Sequence, residues 1–302
     1  MDTIITRVNC PCCGSKDIRK VLVCKDYTVS AELFEVWECT YCTIRFTQDV
    51  PDQDSIAPYY QSDTYISHTD NQEKFINKIY KLAQNYTMNW KLNLVKASIG
   101  KGLPKGSLLD IGAGTGAFLN KASLSGWTVT GLEPNEGARQ ICRKKYNLSL
   151  QEAEKIVELS DESFDIVTMW HVLEHVHQLH ENMSNIKRVL KSSGRVLIAL
   201  PNYTSKDGKD YGAYWAAYDV PRHLYHFSPL AISKLAGQHN MEIESIHPMW
   251  LDAFYIALLS ENYKSGKPKP VAAFLSGLKS NVNALKNKSA CSSLVFVMRH
   301  KN

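Results

Sequence analysis

Residues 108–119 read LLDIGAGTGAFL, where an apolar run ends at Asp110 and Gly112, Gly114 and Gly116 alternate, with Ala113 between the first two, before a helical pattern begins. Glycine at this spacing lets the backbone turn sharply and lets a ligand come within contact distance, which a Cβ would prevent. About twenty residues later the next apolar run ends at Glu133, followed by Pro134, where a carboxylate can accept hydrogen bonds from both hydroxyls of a ribose. Strand, glycine loop and acid together describe an adenosine pocket.

Proton-active side chains gather in two further stretches. WHVLEHVHQLH at 170–180 holds His171, Glu174, His175, His177 and His180, and histidine, with an ordinary pKa of about 6.5, is suited to proton transfer near neutrality. His171, Glu174 and His175 stand at i, i+3, i+4, one face of a helix, a spacing that also admits a divalent ion. The plainer alternative is that Glu174 and His175 cap and brace that helix. YWAAYDVPRHLYHFSP at 214–229 adds Tyr218, Asp219, Arg222, His223 and His226, with Asn202 just upstream. His223 is the first candidate for a base, ahead of His171 and His175, and the others are candidates for substrate contact. Structurally, Arg222 could simply pair with Asp219 while the aromatics pack the next helix.

Cysteine usage supplies the third signal. Six of the eight cysteines precede residue 43, and Cys10/Cys13 and Cys39/Cys42 form two C-x-x-C pairs. Pairs of this kind in a reducing compartment favour a metal over disulfides. Four thiolates satisfy a tetrahedral Zn²⁺ and leave no open position, so the ion is expected to be structural, the alternatives being a ribbon that has lost its ion or a redox dithiol. Cys12 is a spare inside the first knuckle and Cys24 a hairpin residue.

Composition bounds the rest. At 302 residues and 44% hydrophobic the chain can bury an α/β core and keep a small second unit. Its charge of +5 comes from 35 basic and 30 acidic residues scattered along the length, with no dense Lys/Arg block that would call for a nucleic-acid partner. The start lacks the pattern of a secretory signal and no run approaches the roughly 18 apolar residues of a membrane span, so the expected setting is the cytoplasm, with no membrane partner.

These side chains need elements to hold them. Residues 1–50 alternate short β-like runs with cysteine turns and read as a ribbon module. Residues 51–72 read as a polar linker whose Tyr60, Tyr65 and His68 could close over a ligand. At 73–99 apolar positions from Phe75 to Leu94 recur at helical spacing and lead into the main domain, 73–302. Within it SLLDIG, TVTGLEP, FDIVTMW and GRVLIALPN read as strands separated by helices, with a short strand near 150–153. Helical stretches are expected at 250–263 and 271–285, with MEIESIHP and SSLVFVMRH as late strands. The pattern implies right-handed βαβ units. The fold class is α/β: a Rossmann-like, doubly wound, mostly parallel sheet behind a small N-terminal zinc-ribbon module. Segment 203–229 would cover the substrate side, and YTSKDGKDYG within it reads as a flexible loop.

The run D-x-G-x-G-x-G at Asp110, GLEP at the second strand, the FDIV strand entry and HVLEHV after it resemble the class I S-adenosylmethionine-dependent methyltransferases over about residues 73–302. That resemblance implies that Asp110 and the loop Gly112, Ala113, Gly114, Gly116 hold the methionine end of S-adenosylmethionine, and that Glu133 and Pro134 meet the ribose. It puts Glu152 and Ala153 beside the adenine, and the backbone of Trp170 and His171 beside the amino-acid moiety. PRHLYHF resembles bacterial methyltransferases with small-molecule substrates. HVLEHV resembles ubiquinone-pathway O-methyltransferases, and small-RNA 2′-O-methyltransferases hold a divalent ion with a similar Glu-x-x-Glu-His, in which His171 here takes the first acid's place. The implied reaction is transfer of a methyl group to a small-molecule hydroxyl, leaving S-adenosylhomocysteine. Three rivals stay open: an RNA or protein methyltransferase recruited by the ribbon, a non-catalytic binding module, and an NAD(P) oxidoreductase. The last fits G-x-G-x-x-G/A onto Gly112, Gly114 and Ala117, although the one Tyr-x-x-x-Lys pair, Tyr263 and Lys267, falls in a loop-like run.

Overall fold

The computed structural model describes residues 3–61, 74–99 and 106–301, with side chains in the first helix described from residue 84 onward. Tyr65 and His68 lie outside the described residues. The N-terminal part contributes β1 (Ile4–Ile5), β2 (Ile18–Lys25), β3 (Leu33–Cys39), β4 (Arg45–Thr47) and β5 (Val50–Pro51). β2, β3 and β4 form an antiparallel meander, and β1 pairs with β5. The helix Lys74–Ser98 follows.

The central sheet is built from β6 (Ser107–Ile111), β7 (Thr128–Leu132), β8 (Phe164–Trp170) and β9 (Leu190–Pro201). Two later strands, β11 (Met241–Pro248) and β12 (Ser293–His300), complete the order β11-β12-β9-β8-β6-β7. β6 to β9 pair in parallel and β12 runs antiparallel between β9 and β11. The parallel strands are near-continuous apolar runs because helices cover both of their faces. Leu109, Val167 and Ile198 look into one core, and Leu108, Ile166 and Leu197 into another that the first helix closes with Leu92 and Val95. The helix Glu136–Tyr146 is framed by Asn135, whose side chain accepts from Ala138 N–H, and by Asn147 in the left-handed conformation.

Strand β10 (Tyr225–His226) departs from this layout. It pairs with β4, so the small N-terminal sheet takes its edge from the middle of the main domain, in the order β10-β4-β3-β2.

Three expectations are corrected. The short strand at 150–153 is a single bridge, Gln151 to Leu132, and the chain then turns into a 3₁₀ helix, Ala153–Glu158. Ile156 alone is buried in that helix, so nothing drives a longer ladder. The helix read from 171 onward begins only at Leu179. His171 is left-handed at φ 60°, and the carbonyl of Glu174 accepts from Leu224 and Tyr225 N–H, which diverts it from an intrahelical bond. Finally, YTSKDGKDYG contains the helix Lys206–Tyr211, started by the Ser205 hydroxyl on Gly208 N–H. Asp207 anchors it in the interior by accepting from Trp215 Nε1, Ser280 Oγ and Ser292 Oγ.

Candidate functional site

Because β6 and β8 are parallel neighbours, with Ile111 opposite Met169, the loops that follow them leave the same edge of the sheet. After β6 the backbone doubles back, with Gly112 and Ala113 N–H both donating to Leu132 O. Gly112, Gly114 and Gly116 have φ of 72°, 54° and 78°. A Cβ on Gly112 would sit 2.4 Å from Val172 and one on Gly116 2.2 Å from Cys142 Sγ, whereas one on Gly114 would meet nothing within 4 Å among the described residues. The loop is thus packed at its two ends and open in the middle, where a ligand can lie against bare backbone.

Glu133, at the tip of β7, is buried and oriented by backbone: Oε2 accepts from Gly114 N–H at 2.8 Å and Oε1 from Asn135 N–H at 2.9 Å. The carbonyls of Glu133 and Pro134 accept from Arg139, whose other nitrogen reaches the exposed Glu152 carboxylate at 3.4 Å. Ala153 begins the adjoining 3₁₀ helix. Asp110 accepts from Thr168 Oγ at 2.6 Å. Burial raises its carboxyl to about 7, against the pull of the Thr168 bond and the Lys91 charge.

Lys91 was not legible in sequence as a site residue. It is buried on the first helix, its Nζ 4.4 Å from the centre of the Trp170 ring, and burial lowers its pKa while the charges of Asp110 and Asp252 oppose this. Trp170 also packs edge-on against Phe118. Asp252, near the start of the helix Asp252–Ser265, was missed as well; it reaches His171 Nε2 at 3.2 Å.

The turn after β8 brings Glu174 and His175 to His223, and ligand atoms of these three all lie within 4.8 Å of one another. His171 stands apart from this cluster. Glu174 Oε1 holds its Nδ1 at 3.3 Å and Asp252 its Nε2 at 3.2 Å. Burial disfavours its charge, but the bonds from Asp252 and Glu174 outweigh this and hold it up at about 9. An imidazole bonded to carboxylates through both nitrogens carries both protons and has no lone pair to act as a base or ligand. The sequence-read trio His171, Glu174, His175 therefore gives way to Glu174, His175, His223.

In that trio each histidine spends Nδ1 on a backbone carbonyl: His175 on Arg222 O at 3.0 Å, with Tyr60 Oη also at 3.1 Å, and His223 on Ala217 O at 2.8 Å. A carbonyl only accepts, so Nδ1 carries the proton and Nε2 keeps its lone pair. Burial and the neighbouring His223 push His175 down to about 4. Glu174 is fully buried; burial opposes its charge, yet the His171 bond leaves its pKa below the ordinary value. Its Oε2 has no hydrogen-bond partner in the described structure.

The remaining candidates turn inward. Arg222 is completely buried, with Nη2 2.9 Å from Asp26 and 2.6 Å from Asp219, and Nη1 on Tyr59 O. Burial pushes the Asp26 carboxyl up, but its bonds to Arg222 and to backbone N–H prevail and leave it at about 2. Tyr218 Oη accepts from Arg45 at 2.6 Å, and His226 Nε2 meets Thr47 Oγ at 3.1 Å. Asn202 donates to Ser289 O and Cys291 O and accepts from Thr204. These four sit in the seam between the small sheet and the main domain or brace the end of β9, and the seam is what carries His223 to Glu174.

In the N-terminal part Cys10 Sγ lies 3.5 Å from Cys42 Sγ and Cys13 Sγ 3.6 Å from Cys39 Sγ, with all four sulfurs within 4.8 Å of one another. A tetrahedron with metal–sulfur bonds of about 2.3 Å has edges of about 3.8 Å. The donor set and spacing therefore fit a tetrahedral ion, and Cys12, though buried, lies outside it.

Among curated relatives, a demethylmenaquinone methyltransferase of Tropheryma whipplei is 27% identical over 119 residues, covering 38% of this chain and 50% of the relative. A ubiquinone biosynthesis O-methyltransferase of Photobacterium profundum is 30% identical over 123 residues, covering 38% and 52%. The chain thus spans about half the length of these relatives. Among solved structures, geranyl diphosphate C-methyltransferase from Streptomyces coelicolor A3(2), in complex with Mg²⁺, geranyl diphosphate and S-adenosyl-L-homocysteine, superposes with a TM-score of 0.52 at 13% identity, over 76% of this chain and 87% of that one. Phosphoethanolamine N-methyltransferase 2 of Haemonchus contortus with S-adenosyl-L-methionine gives 0.50 at 16% identity, over 85% and 63%. At such identities the likeness establishes the fold. The family profile described as a methyltransferase domain matches residues 66–246, most of the chain, and the protein belongs to that family.

Proposed function

We propose that the protein transfers the methyl group of S-adenosylmethionine to a hydroxyl of a small-molecule acceptor. The supporting observation is the pairing, at one edge of the sheet, of an open glycine cradle with the Glu174–His175–His223 cluster. In this reading Glu133 receives the ribose, Asp110 the methionine ammonium and Lys91 the methionine carboxylate. The sulfonium already activates the methyl group, so the reaction asks chiefly for alignment of an in-line displacement. His223 Nε2 takes the acceptor's hydroxyl proton, the oxygen attacks the methyl carbon, and the S–CH₃ bond breaks with its electron pair passing to sulfur, giving S-adenosylhomocysteine. The four N-terminal cysteines hold a structural Zn²⁺.

The test is calorimetric titration with S-adenosylhomocysteine, followed by turnover with a panel of phenolic, sugar and lipid-linked alcohols. Retained tight binding by Glu133→Ala or Asp110→Ala overturns the pocket. Turnover with RNA alone would favour the ribbon-recruited rival.

A second reading has its own support. Glu174 Oε2 and the Nε2 atoms of the two imidazoles have no hydrogen-bond partner among the described residues, and with the Nδ1 atoms anchored this matches the way metal-binding histidines are usually oriented. A divalent ion held there would lower the pKa of a bound acceptor hydroxyl. Metal analysis distinguishes the sites: loss of an ion in Glu174→Gln, with zinc retained, supports this reading, and metal content unchanged from the parent removes it.

A further inference from the structure

The helix Pro270–Lys286 is amphipathic the wrong way round for a buried element. Its buried residues are small, namely Ala273, Gly277, Ser280 and Ala284. Gly277 lies so close to the preceding helix that a Cβ would meet Phe254 Cδ1 at 2.7 Å. Its large apolar side chains face outward: Val271, Phe274, Leu275, Leu278, Val282 and Leu285 are between 43 and 73% exposed. At 3.6 residues per turn these six fall within an arc of about 100°. A continuous apolar stripe of this width marks an interaction surface, since isolated exposed leucines would scatter.

Charge selects the occupant. No Asp or Glu follows Glu261 in the sequence. Lys264, Lys267 and Lys269 are exposed ahead of the helix and Lys286 and Lys288 at its other end. Lys279 flanks the stripe, 67% exposed and 3.8 Å from Asp210. A second copy docking through the same stripe in the antiparallel sense would set the lysines of one end against those of the other, which repels. An anionic lipid surface suits both parts: the stripe enters the boundary between headgroups and acyl chains while the lysines stay at phosphate level. No helix among the described residues is long and apolar enough to cross a membrane, so the contact is peripheral.

We propose that the helix Pro270–Lys286 docks this protein on anionic membrane surfaces. The idea stands apart from the methyl-transfer reading, because cofactor binding can fail while docking holds, and the reverse. The test is co-sedimentation of the full chain with phosphatidylcholine vesicles made with and without phosphatidylglycerol. Binding is expected only with the anionic lipid and is expected to weaken with added salt. Phe274→Glu with Leu278→Glu should reduce partitioning by about tenfold or more, and Lys267→Gln with Lys269→Gln by roughly twenty-five-fold, at about fivefold per lysine. Circular dichroism should show all variants folded, since every altered residue is exposed. Failure to sediment, or sedimentation unaffected by these substitutions, overturns the proposal. So does a dimer on size exclusion that Leu278→Glu converts to monomer, which would assign the face to a second copy.

Discussion

The glycine crevice and the histidine cluster lie at one edge of one sheet but are built by different means. The crevice is made largely from backbone within two consecutive strand ends, 110–116 and 131–135, and its ribose-side carboxylate, Glu133, is held by the N–H groups of Gly114 and Asn135 in those same two segments. The cluster is made from side chains on segments 48 residues apart, Glu174/His175 and His223, kept together by the seam with the N-terminal sheet. A site of the first kind tolerates distant change. One of the second kind is as stable as the interface behind it.

The largest effect separates chemistry from cofactor binding. His223→Ala should lower kcat by about a hundredfold to ten-thousandfold, the usual worth of a general base, with S-adenosylhomocysteine affinity unchanged. If affinity falls in step with rate, the two regions are not separable. Next comes Arg222→Met, which leaves Asp26 without its buried partner. Chemical denaturation should show a loss of about 3–5 kcal/mol, with activity lost before cofactor affinity. An unchanged midpoint would mean that the seam does not support the cluster.

Gly116→Ala sharpens the other side. The added methyl meets Cys142 Sγ at 2.2 Å in a residue with φ 78°, and strain of about 1–3 kcal/mol should appear as weaker cofactor binding. Gly116→Ala with Cys142→Ala should recover only part of it, because relieving the clash leaves the backbone strain.

The smallest effect is a pH dependence. Burial holds the Asp110 carboxyl up at about 7. A raised carboxyl favours the folded protein below the ordinary carboxylate range, and that contribution is lost as pH rises through about 7. The free protein should therefore melt lower at about pH 8 than at about pH 6, while S-adenosylhomocysteine, whose ammonium needs the charged carboxylate, should bind more tightly at the higher pH. Affinity that is flat with pH would separate Asp110 from the ammonium.

What could be read without coordinates follows from the range of the interactions. The six strands of the main sheet, Gly112, Gly114, Gly116, Asp110, Glu133 and the paired cysteines were legible, because period, turn chemistry and ligand spacing are properties of neighbours along the chain. The helix expected at 171 was misread because spacing at i, i+3, i+4 says nothing of the carbonyl at Glu174, which Leu224 and Tyr225 claim from a distant segment.

Sequence alone therefore determined that a parallel sheet would end in a bare backbone cradle beside a carboxylate, and that four thiols would come in two close pairs. Tertiary structure alone decided the rest. It paired His223 with Glu174 and tied up His171 between two acids, brought Lys91 under Trp170, and turned the large side chains of the helix Pro270–Lys286 outward. Backbone conformation is governed by adjacent residues, whereas the protonation and pairing of a side chain are governed by whatever the fold packs against it, and that partner stands anywhere in the chain.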